Sequence, residues 1–208
     1  MKYAYGAEIK NKRLSSLEEL LKEWTVVIED FCNHLGDDDA PYWYNERTTL
    51  GTFAGAIWRA KGLALEEYGD TKKYRKQRWE GRVDLYFSLN EEHYVVEAKQ
   101  KWLFLNVNKT SKNIKDEADR PLQQAIGDVK SDALHGGCPL GILFIVPIIR
   151  KDQLNRADGL LQTFFEGIGM VDYDMLAWQF PDIARNLDYN NAIYPGIVLL
   201  AKTLKTNK

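Results

Sequence analysis

The first periodic stretch of the chain carries apolar residues three or four positions apart, the spacing of one helix face. They are Leu17, Leu20, Leu21, Trp24, Val27, Ile28 and Phe31. Ser16 and Glu19 form a capping box ahead of this stripe. Gly36, the three aspartates that follow it and Pro41 are typical of a helix end. The pattern predicts an N-terminal helix within residues 1–40.

A second stripe predicts a helix from about Asn45 to Tyr68. Its apolar members are Leu50, Phe53, Ala54, Ile57, Ala64, Leu65 and Tyr68. Glu46 lies four residues before Leu50 and eleven before Ile57, so it belongs to the same face. A carboxylate on a buried face is costly unless something stabilises it. Glu46 is therefore expected either to be stabilised by the helix N-terminus or to face a metal ion.

The period then changes to two residues, which predicts a pair of strands. In the first strand Val83, Leu85 and Phe87 alternate with Asp84, Tyr86 and Ser88. HYVVEAKQKW predicts the second strand, and the SLNEEH segment is typical of a turn, so a hairpin is expected. One face of the second strand carries His93, Val95, Glu97 and Lys99.

The rest of the chain predicts two more helices and two more strands. A helix from about Asp119 to Leu134 has Asp119 as its N-cap and Pro121 in its first turn. The apolar run CPLGILFIVPII predicts a central strand that is buried on both faces. A helix from about Asp152 to Ile168 and a strand from Ile193 to Leu204 follow. This order of elements predicts an α/β fold with a mixed central β-sheet flanked by α-helices.

A length of 208 residues fits one compact domain with a sizeable core. We expect a single domain over residues 1–208, with its core at about 46–147, an N-terminal helix within 1–40 and a C-terminal helix and strand within 150–208. The longest apolar run is about half the roughly 18 residues of a membrane span, so no membrane partner is expected. MKYAYGAEIKNKR lacks the apolar stretch of a secretory signal. Cys32 and Cys138 are expected to be free thiols, which favours a cytoplasmic location.

The net charge of −2 argues against a non-specific DNA coat protein, but not against a locally basic nucleic-acid site. Two basic stretches flank the acids of the predicted hairpin. Their members include Lys72, Lys73, Arg75, Lys76, Arg78 and Lys101. Charge runs are commonly solvated faces, so a solvated face and a nucleic-acid contact both remain open for these residues.

Three polar residues of the hairpin, Asp84, Glu97 and Lys99, form the candidate site. A hard cation such as Mg²⁺ takes oxygen ligands and water, usually with one or two protein carboxylates. A neighbouring lysine can orient or help deprotonate an attacking water, and it places positive charge near a phosphate. Glu46 would add a third carboxylate from a separate helix. The alternative is a solvated hairpin face with Glu97 and Lys99 as a surface pair.

The segments GRVDLYF and YVVEAKQ, joined by a short turn, resemble the motif of the PD-(D/E)XK nuclease superfamily. That motif has an acid on one strand, then an acid, any residue and a lysine on the next. Val83 stands where the motif has proline. The resemblance covers roughly Glu46 to Pro147 and implies a restriction-endonuclease-like fold. It also implies Mg²⁺ or Mn²⁺ held by Asp84, Glu97 and the Ala98 carbonyl, with Lys99 positioning or activating water.

Two further positions follow from the same resemblance. Members commonly carry a glutamate on the helix before the first strand, and Glu46 matches that place. Many also carry a glutamine on the helix after the lysine strand, which would be Gln123 or Gln124. Gln123 flanks the apolar stripe whereas Gln124 lies opposite it, so Gln123 is preferred.

The resemblance implies a metal-dependent phosphodiesterase that acts on nucleic acid, with DNA favoured over RNA. Dimers are common among such enzymes, so a homodimer is one arrangement to test. A catalytically inactive scaffold of the same fold, which binds nucleic acid or a partner protein, is the main alternative. A small-molecule or tRNA-processing enzyme on a similar sheet is a third.

Overall fold

The computed structural model describes residues 3–35, 39–74, 77–129, 137–185 and 188–204, and within 70–74 and 77–81 it describes the backbone alone. In these residues it has four α-helices and nine strands. The helices are α1 (Glu18–Leu35), α2 (Glu46–Arg59), α3 (Ser111–Val129) and α4 (Ala157–Gly169). The strands are β1 (Tyr5–Ile9), β2 (Leu63–Tyr74), β3 (Gln77–Leu89), β4 (Glu92–Leu105), β5 (Cys138–Arg150), β6 (Met175–Gln179), β7 (Asp188–Tyr189), β8 (Ala192–Ile193) and β9 (Ile197–Thr203).

All the strands belong to one central sheet. Its order is β1-β6-β9-β5-β4-β3-β2, and the short β7–β8 hairpin attaches to the end of β5. The β4–β5 pair is parallel and the other pairs are antiparallel. The predicted α/β fold, a single domain with a mixed sheet flanked by helices, is confirmed.

Two apolar layers hold the helices onto the sheet. On one face Trp24 of α1 and Phe53 of α2 pack in a cluster with Phe144 of β5. On the other face Leu122 of α3 and Phe164 of α4 pack in a cluster with Leu143 and other β5 residues. The predicted central strand is confirmed, because β5 contributes alternate residues to both layers and pairs with β4 and β9.

The predicted helix from Asn45 to Tyr68 is wrong in its second half. The helix ends at Arg59, Lys61 takes a left-handed φ of 64°, and β2 begins at Leu63. Gly62 is packed so closely that an added Cβ would lie 2.7 Å from the Ser88 carbonyl oxygen. The apolar residues counted into the helix beyond this point therefore lie on a strand, paired with β3.

The start of α3 also differs from its prediction. Thr110 and Asn113 cap it reciprocally, because each side chain accepts a hydrogen bond from the other's backbone N–H. The helix therefore begins at Ser111, so Asp119 is not its N-cap and Pro121 lies in its interior. Its predicted end at Leu134 falls outside the described residues.

The β3–β4 hairpin is confirmed, with Asn90 and Glu91 in its turn at φ values of 52° and 66°. Strands β1 and β6 had no clear sequence signal and pair at the far edge of the sheet. Both cysteines are free thiols, and Cys32 is buried. None of the described helices has the length and apolar character needed to cross a membrane.

Candidate functional site

The candidate site lies where the pairing of β3 with β4 ends. The register of these two strands runs from Leu89 opposite Glu92 to Leu85 opposite Val96. From Glu97 to Leu105, β4 is paired along its other edge with β5, and within the described residues it has no second partner strand. We call this unpaired side of residues 97–105 the open edge of β4.

Two carboxylates take the place of the missing strand. The Ala98 backbone N–H donates to Asp84 Oδ2 at 2.8 Å, and the Gln100 backbone N–H donates to Glu46 Oε2 at 2.9 Å. These are alternate residues of β4, so both N–H groups point toward the open edge. Asp84 and Glu46 are thereby anchored beside each other by the backbone of β4.

The pairing of β2 with β3 is interrupted at Asp84. Glu66 pairs with Leu85 and Tyr68 with Val83, so Glu67 and Asp84 face each other between these pairs. Glu67 has a left-handed φ of 49°, a conformation that a residue with a side chain seldom adopts. Its carboxylate pairs with Arg47 and, at 3.1 Å, with Arg82.

The prediction that Val83, Leu85 and Phe87 share one face of β3 is wrong for Val83. Val83 packs with Val95 and Val129 on the α3 side of the sheet, whereas Leu85 belongs to the layer under α1 and α2. Strict alternation would have placed Val83 and Leu85 together. The alternation is therefore interrupted at Asp84, where β3 begins to diverge from β4.

Lys99 reaches across to α3. Its Nζ lies 3.2 Å from Asp128 Oδ2, and the lysine side chain is 22% exposed. Burial lowers the pKa of Lys99, but the hydrogen bond to Asp128 and the nearby carboxylates of Glu46 and Asp84 outweigh it, so the pKa is raised. Lys99 is accordingly a cation at neutral pH.

Glu46 is the first residue of α2, and Asn45 caps that helix through a hydrogen bond from the Thr48 N–H. Burial raises the pKa of Glu46, and the carboxylates of Asp84 and Asp128 raise it further. Lys99 and the Gln100 N–H oppose this rise in part. These interactions place Glu46 in one electrostatic cluster with the other two acids and the lysine.

Glu97 is buried, with 4% of its surface exposed, and it pairs in register with Gly141 of β5. By strand alternation it lies on the α3 side together with Lys99. A carboxylate at this depth is costly unless it is paired or hydrogen-bonded. Glu97 therefore has the burial of a functional group and not of a solvated hairpin face.

Of the two candidate glutamines, Gln124 lines a groove beside the site. A groove of about 360 Å³ runs between β4 and α3, with a lining that includes Lys101, Glu117, Arg120 and Gln124. Gln124 is four residues before Asp128, so both lie on one face of α3. Gln123 and Gln124 are both exposed. The preference for Gln123, which rested on its place beside the apolar stripe, therefore stays a prediction with Gln124 as the alternative.

The predicted nucleic-acid contacts divide into three groups. Arg75 and Lys76 lie outside the described residues. Lys72 pairs with Trp79 and Lys73 with Arg78 along the β2–β3 hairpin, of which only the backbone is described there. Lys101 lines the groove beside the site and forms an ion pair with Glu117 at 3.7 Å.

Two residues beside the lysine were missed by sequence reasoning. Asp128 was overlooked because it lies next to the apolar stripe of its helix, although its spacing from Gln124 was a usable signal. Gln100 directly follows Lys99 and donates through Nε2 to the Tyr42 carbonyl oxygen at 3.3 Å. Its Oε1 is buried and has no hydrogen-bond partner among the described residues. A buried acceptor of this kind favours a water or ligand donor.

The oxygen donors at the open edge are of the type that a hard cation takes, but only with water completing its shell. No three His, Cys, Asp or Glu side chains of the described residues are grouped so as to hold a metal ion by themselves. Asp84 and Glu97 offer two carboxylates, and the Ala98 carbonyl points toward the open edge, as its N–H does. Mg²⁺ is commonly held by one or two carboxylates and several waters.

The chain matches no protein-family model, and no curated protein or solved structure is significantly similar to it.

Proposed function

We propose that the protein is a metal-dependent phosphodiesterase that hydrolyses nucleic acid, with DNA favoured over RNA. The observation that carries the proposal is the cluster at the open edge of β4. There Asp84 and Glu46 are anchored on consecutive edge N–H groups, and Lys99 lies among Glu46, Asp84 and Asp128. These acids outnumber the lysine, and such an excess of negative charge favours binding of a divalent cation.

Asp84, Glu97 and the Ala98 carbonyl are the groups that would hold Mg²⁺ or Mn²⁺. A bound ion of this kind stabilises negative charge on a phosphoryl oxygen and lowers the pKa of a coordinated water. Glu46 would assist by accepting a hydrogen bond from a water of the ion's shell, because its Oε1 is not the oxygen that anchors Gln100.

Lys99 positions the attacking water and the phosphate. Its raised pKa keeps the amine protonated, so positioning and charge stabilisation are favoured over proton abstraction. In the hydrolysis the water oxygen forms a bond to phosphorus while one P–O ester bond breaks. The water loses a proton to a nearby base, and the leaving oxygen takes up a proton from solvent.

The test is cleavage of plasmid, single-stranded DNA and RNA by the purified protein with Mg²⁺, Mn²⁺ or EDTA. Lys99→Met and Asp84→Asn are expected to lower the rate by about 10²-fold or more. Lys22→Met is the matched control, because Lys22 is an exposed lysine of α1 that also pairs with carboxylates. The proposal is wrong if no metal supports cleavage, or if Lys99→Met cleaves as fast as Lys22→Met.

A catalytically inactive scaffold is the second candidate, and one observation favours it. Asp84 and Glu46 already accept hydrogen bonds from the edge of β4, so both acids have a structural role that needs no metal. Calorimetric titration with Mn²⁺ separates the two candidates. A nuclease should bind the ion in a manner that Asp84→Asn abolishes, and a scaffold should show no such binding.

A further inference from the structure

We propose that the open edge of β4 beyond the acid–lysine cluster binds single-stranded nucleic acid, whose bases stack on Trp102 and Phe104. This inference rests on the proposed function and names its substrate class. Trp102 is 37% exposed and Phe104 is 56% exposed. Both rings lie on the same strand as Lys99, three and five residues after it.

The two rings are exposed because the helical layer ends over this part of the strand. Ala98, Gln100, Trp102 and Phe104 lie on the α1/α2 face by alternation. Ala98 is fully buried there, and Gln100 lies under the Tyr42 carbonyl. On the opposite face Leu103 and Leu105 remain buried against the α3 layer. The strand is thus held firmly from one side and offers aromatic rings on the other.

The spacing of the rings suits an unstacked strand. Residues two apart on a strand are separated by about 6.6 Å. Bases stacked in one strand of a duplex are about 3.4 Å apart. Two successive bases can therefore reach the two rings only when the nucleic acid is extended and single-stranded. Stacking of this kind tolerates any base because every base has an aromatic face.

Cations for the phosphates lie on the other face of the same stretch, because Lys101 alternates with the two rings and its partner Glu117 is on α3. Lys101 and Lys109 both pair with Glu117, at 3.7 Å and 2.7 Å respectively. Two ammonium groups therefore share one carboxylate, which leaves positive charge beside the edge. A single strand that runs along the open edge would have its bases on the side of the rings and its phosphates on the side of the lysines, the two kinds of contact that single-strand sites combine.

A second copy of this chain is the competing occupant, because an open strand edge with apolar side chains can pair with another strand. The nucleic acid is favoured by the continuity of the edge with the acid–lysine cluster and by the charge of the lysines.

The experiment measures binding without cleavage, by fluorescence anisotropy of a labelled single strand and of its duplex in EDTA. Wild type should bind the single strand more tightly than the duplex. Trp102→Ala and Phe104→Ala should each weaken single-strand binding by about 5- to 100-fold. Trp102→Phe should retain most of the affinity, since it keeps an aromatic face. Trp58→Ala is the matched control, because Trp58 is 55% exposed on α2.

The inference is overturned if both alanine variants bind like Trp58→Ala, or if wild type binds the duplex as tightly as the single strand. It is also overturned if sedimentation shows a wild-type dimer that the double variant dissociates while single-strand affinity stays unchanged. Cleavage and ring-dependent binding are measured separately, so the two proposals can fail separately. Ring-dependent binding without any cleavage by wild type would refute the nuclease and leave the binding edge standing, whereas cleavage without ring-dependent binding would do the reverse.

Discussion

β4 passes through two environments along its length. From Tyr94 to Val96 it is hydrogen-bonded to β3 on one edge and β5 on the other, and these residues are almost completely buried. From Glu97 onward it keeps β5 alone within the described residues. There polar and charged side chains begin at once, with Glu97 buried and Lys99 and Gln100 partly exposed.

The difference shows that a strand edge without a partner strand can bind side-chain carboxylates through its backbone N–H groups. In the first stretch the neighbouring strand satisfies the backbone. In the second stretch the carboxylates of Asp84 and Glu46 satisfy two N–H groups, and the pairing of β3 with β4 has ended at Leu85 and Val96. The edge thereby gains charged groups where a paired strand would have offered only amides.

The largest effect is expected from Val96→Asp. Val96 is fully buried between two partner strands, and an unpaired carboxylate there costs several kcal/mol, comparable with the whole stability of a domain of about 5–15 kcal/mol. Phe104→Asp is the control from the open edge, where the exposed position should tolerate the charge. Soluble yield and thermal melting followed by circular dichroism measure both. Equal melting temperatures would contradict the contrast between the two stretches.

A smaller effect is expected from Gly141→Ala. Gly141 pairs with Glu97, and an added Cβ would lie 2.7 Å from the Ile126 backbone nitrogen of α3. The helix must shift away from the sheet, at a cost of about 1–3 kcal/mol in the free energy of unfolding. Because Asp128 is on that helix, its pair with Lys99 should loosen as well.

Urea denaturation measures this cost, and the control is Gly159→Ala. An added Cβ at Gly159 on α4 meets nothing within 4 Å, so the alanine should stabilise the helix by up to about 1 kcal/mol. If Gly141→Ala were as stable as Gly159→Ala, close packing of α3 on the sheet would not be what positions Asp128.

Glu46→Gln should raise the stability of the fold, whereas Val96→Asp and Gly141→Ala lower it. The raised pKa of Glu46 means that the folded state holds this proton more tightly than the unfolded state. Its contribution to stability therefore falls as pH rises from the unfolded-state pKa through the higher folded-state pKa. Glutamine removes the charge and can still accept the Gln100 N–H. We expect a gain well under about 1 kcal/mol at neutral pH, since Glu46 is only partly buried.

Melting temperatures of wild type and Glu46→Gln at acidic and neutral pH measure this gain. The difference should vanish at acidic pH, where Glu46 is protonated. Cleavage by Glu46→Gln should be lower than that of wild type, so stability and activity move in opposite directions. A variant less stable than wild type at neutral pH would show that the charge of Glu46 stabilises the fold.

The smallest change in stability is expected from Asp128→Asn. The Lys99–Asp128 pair is partly exposed and is worth about 0.2–1 kcal/mol. Its loss should lower the pKa of Lys99, because the hydrogen bond to Asp128 is the largest of the effects that raise it. If cleavage needs the charged lysine, its decline at alkaline pH should begin at a lower pH in Asp128→Asn. An unchanged pH profile of cleavage would indicate that Asp128 does not tune Lys99.

The sequence predicted the parts of the fold that depend on near neighbours. The alternation from Leu85 to Ser88 and in YVVEAKQ predicted the hairpin, because successive side chains of a strand face opposite sides. The same rule related Glu97 to Lys99. The run from Cys138 to Ile149 predicted β5, because a strand between two helical layers has no polar face.

The same local rules failed where distant contacts decide the structure. Ala64, Leu65 and Tyr68 continued a helical spacing from α2, yet close packing of Gly62 against Ser88 ends the helix and turns the chain into β2. The predicted start of α3 at Asp119 was too late, because Thr110 and Asn113 cap the helix reciprocally before Ser111 and Asp119 lies in its interior.

For this protein the sequence by itself determined which residues could form the site: an acid, then an acid and a lysine two residues apart, with a glutamate at the start of a helix. The tertiary structure alone decided that Asp84 and Glu46 bind consecutive N–H groups of one strand edge, and that Asp128 holds Lys99. Periodicity is a property of neighbours in the chain, so it assigns side chains to faces. The meeting of α2, β3, β4 and α3 depends on where the pairing of β3 with β4 ends and on how closely α3 packs on Gly141, and no local spacing encodes either.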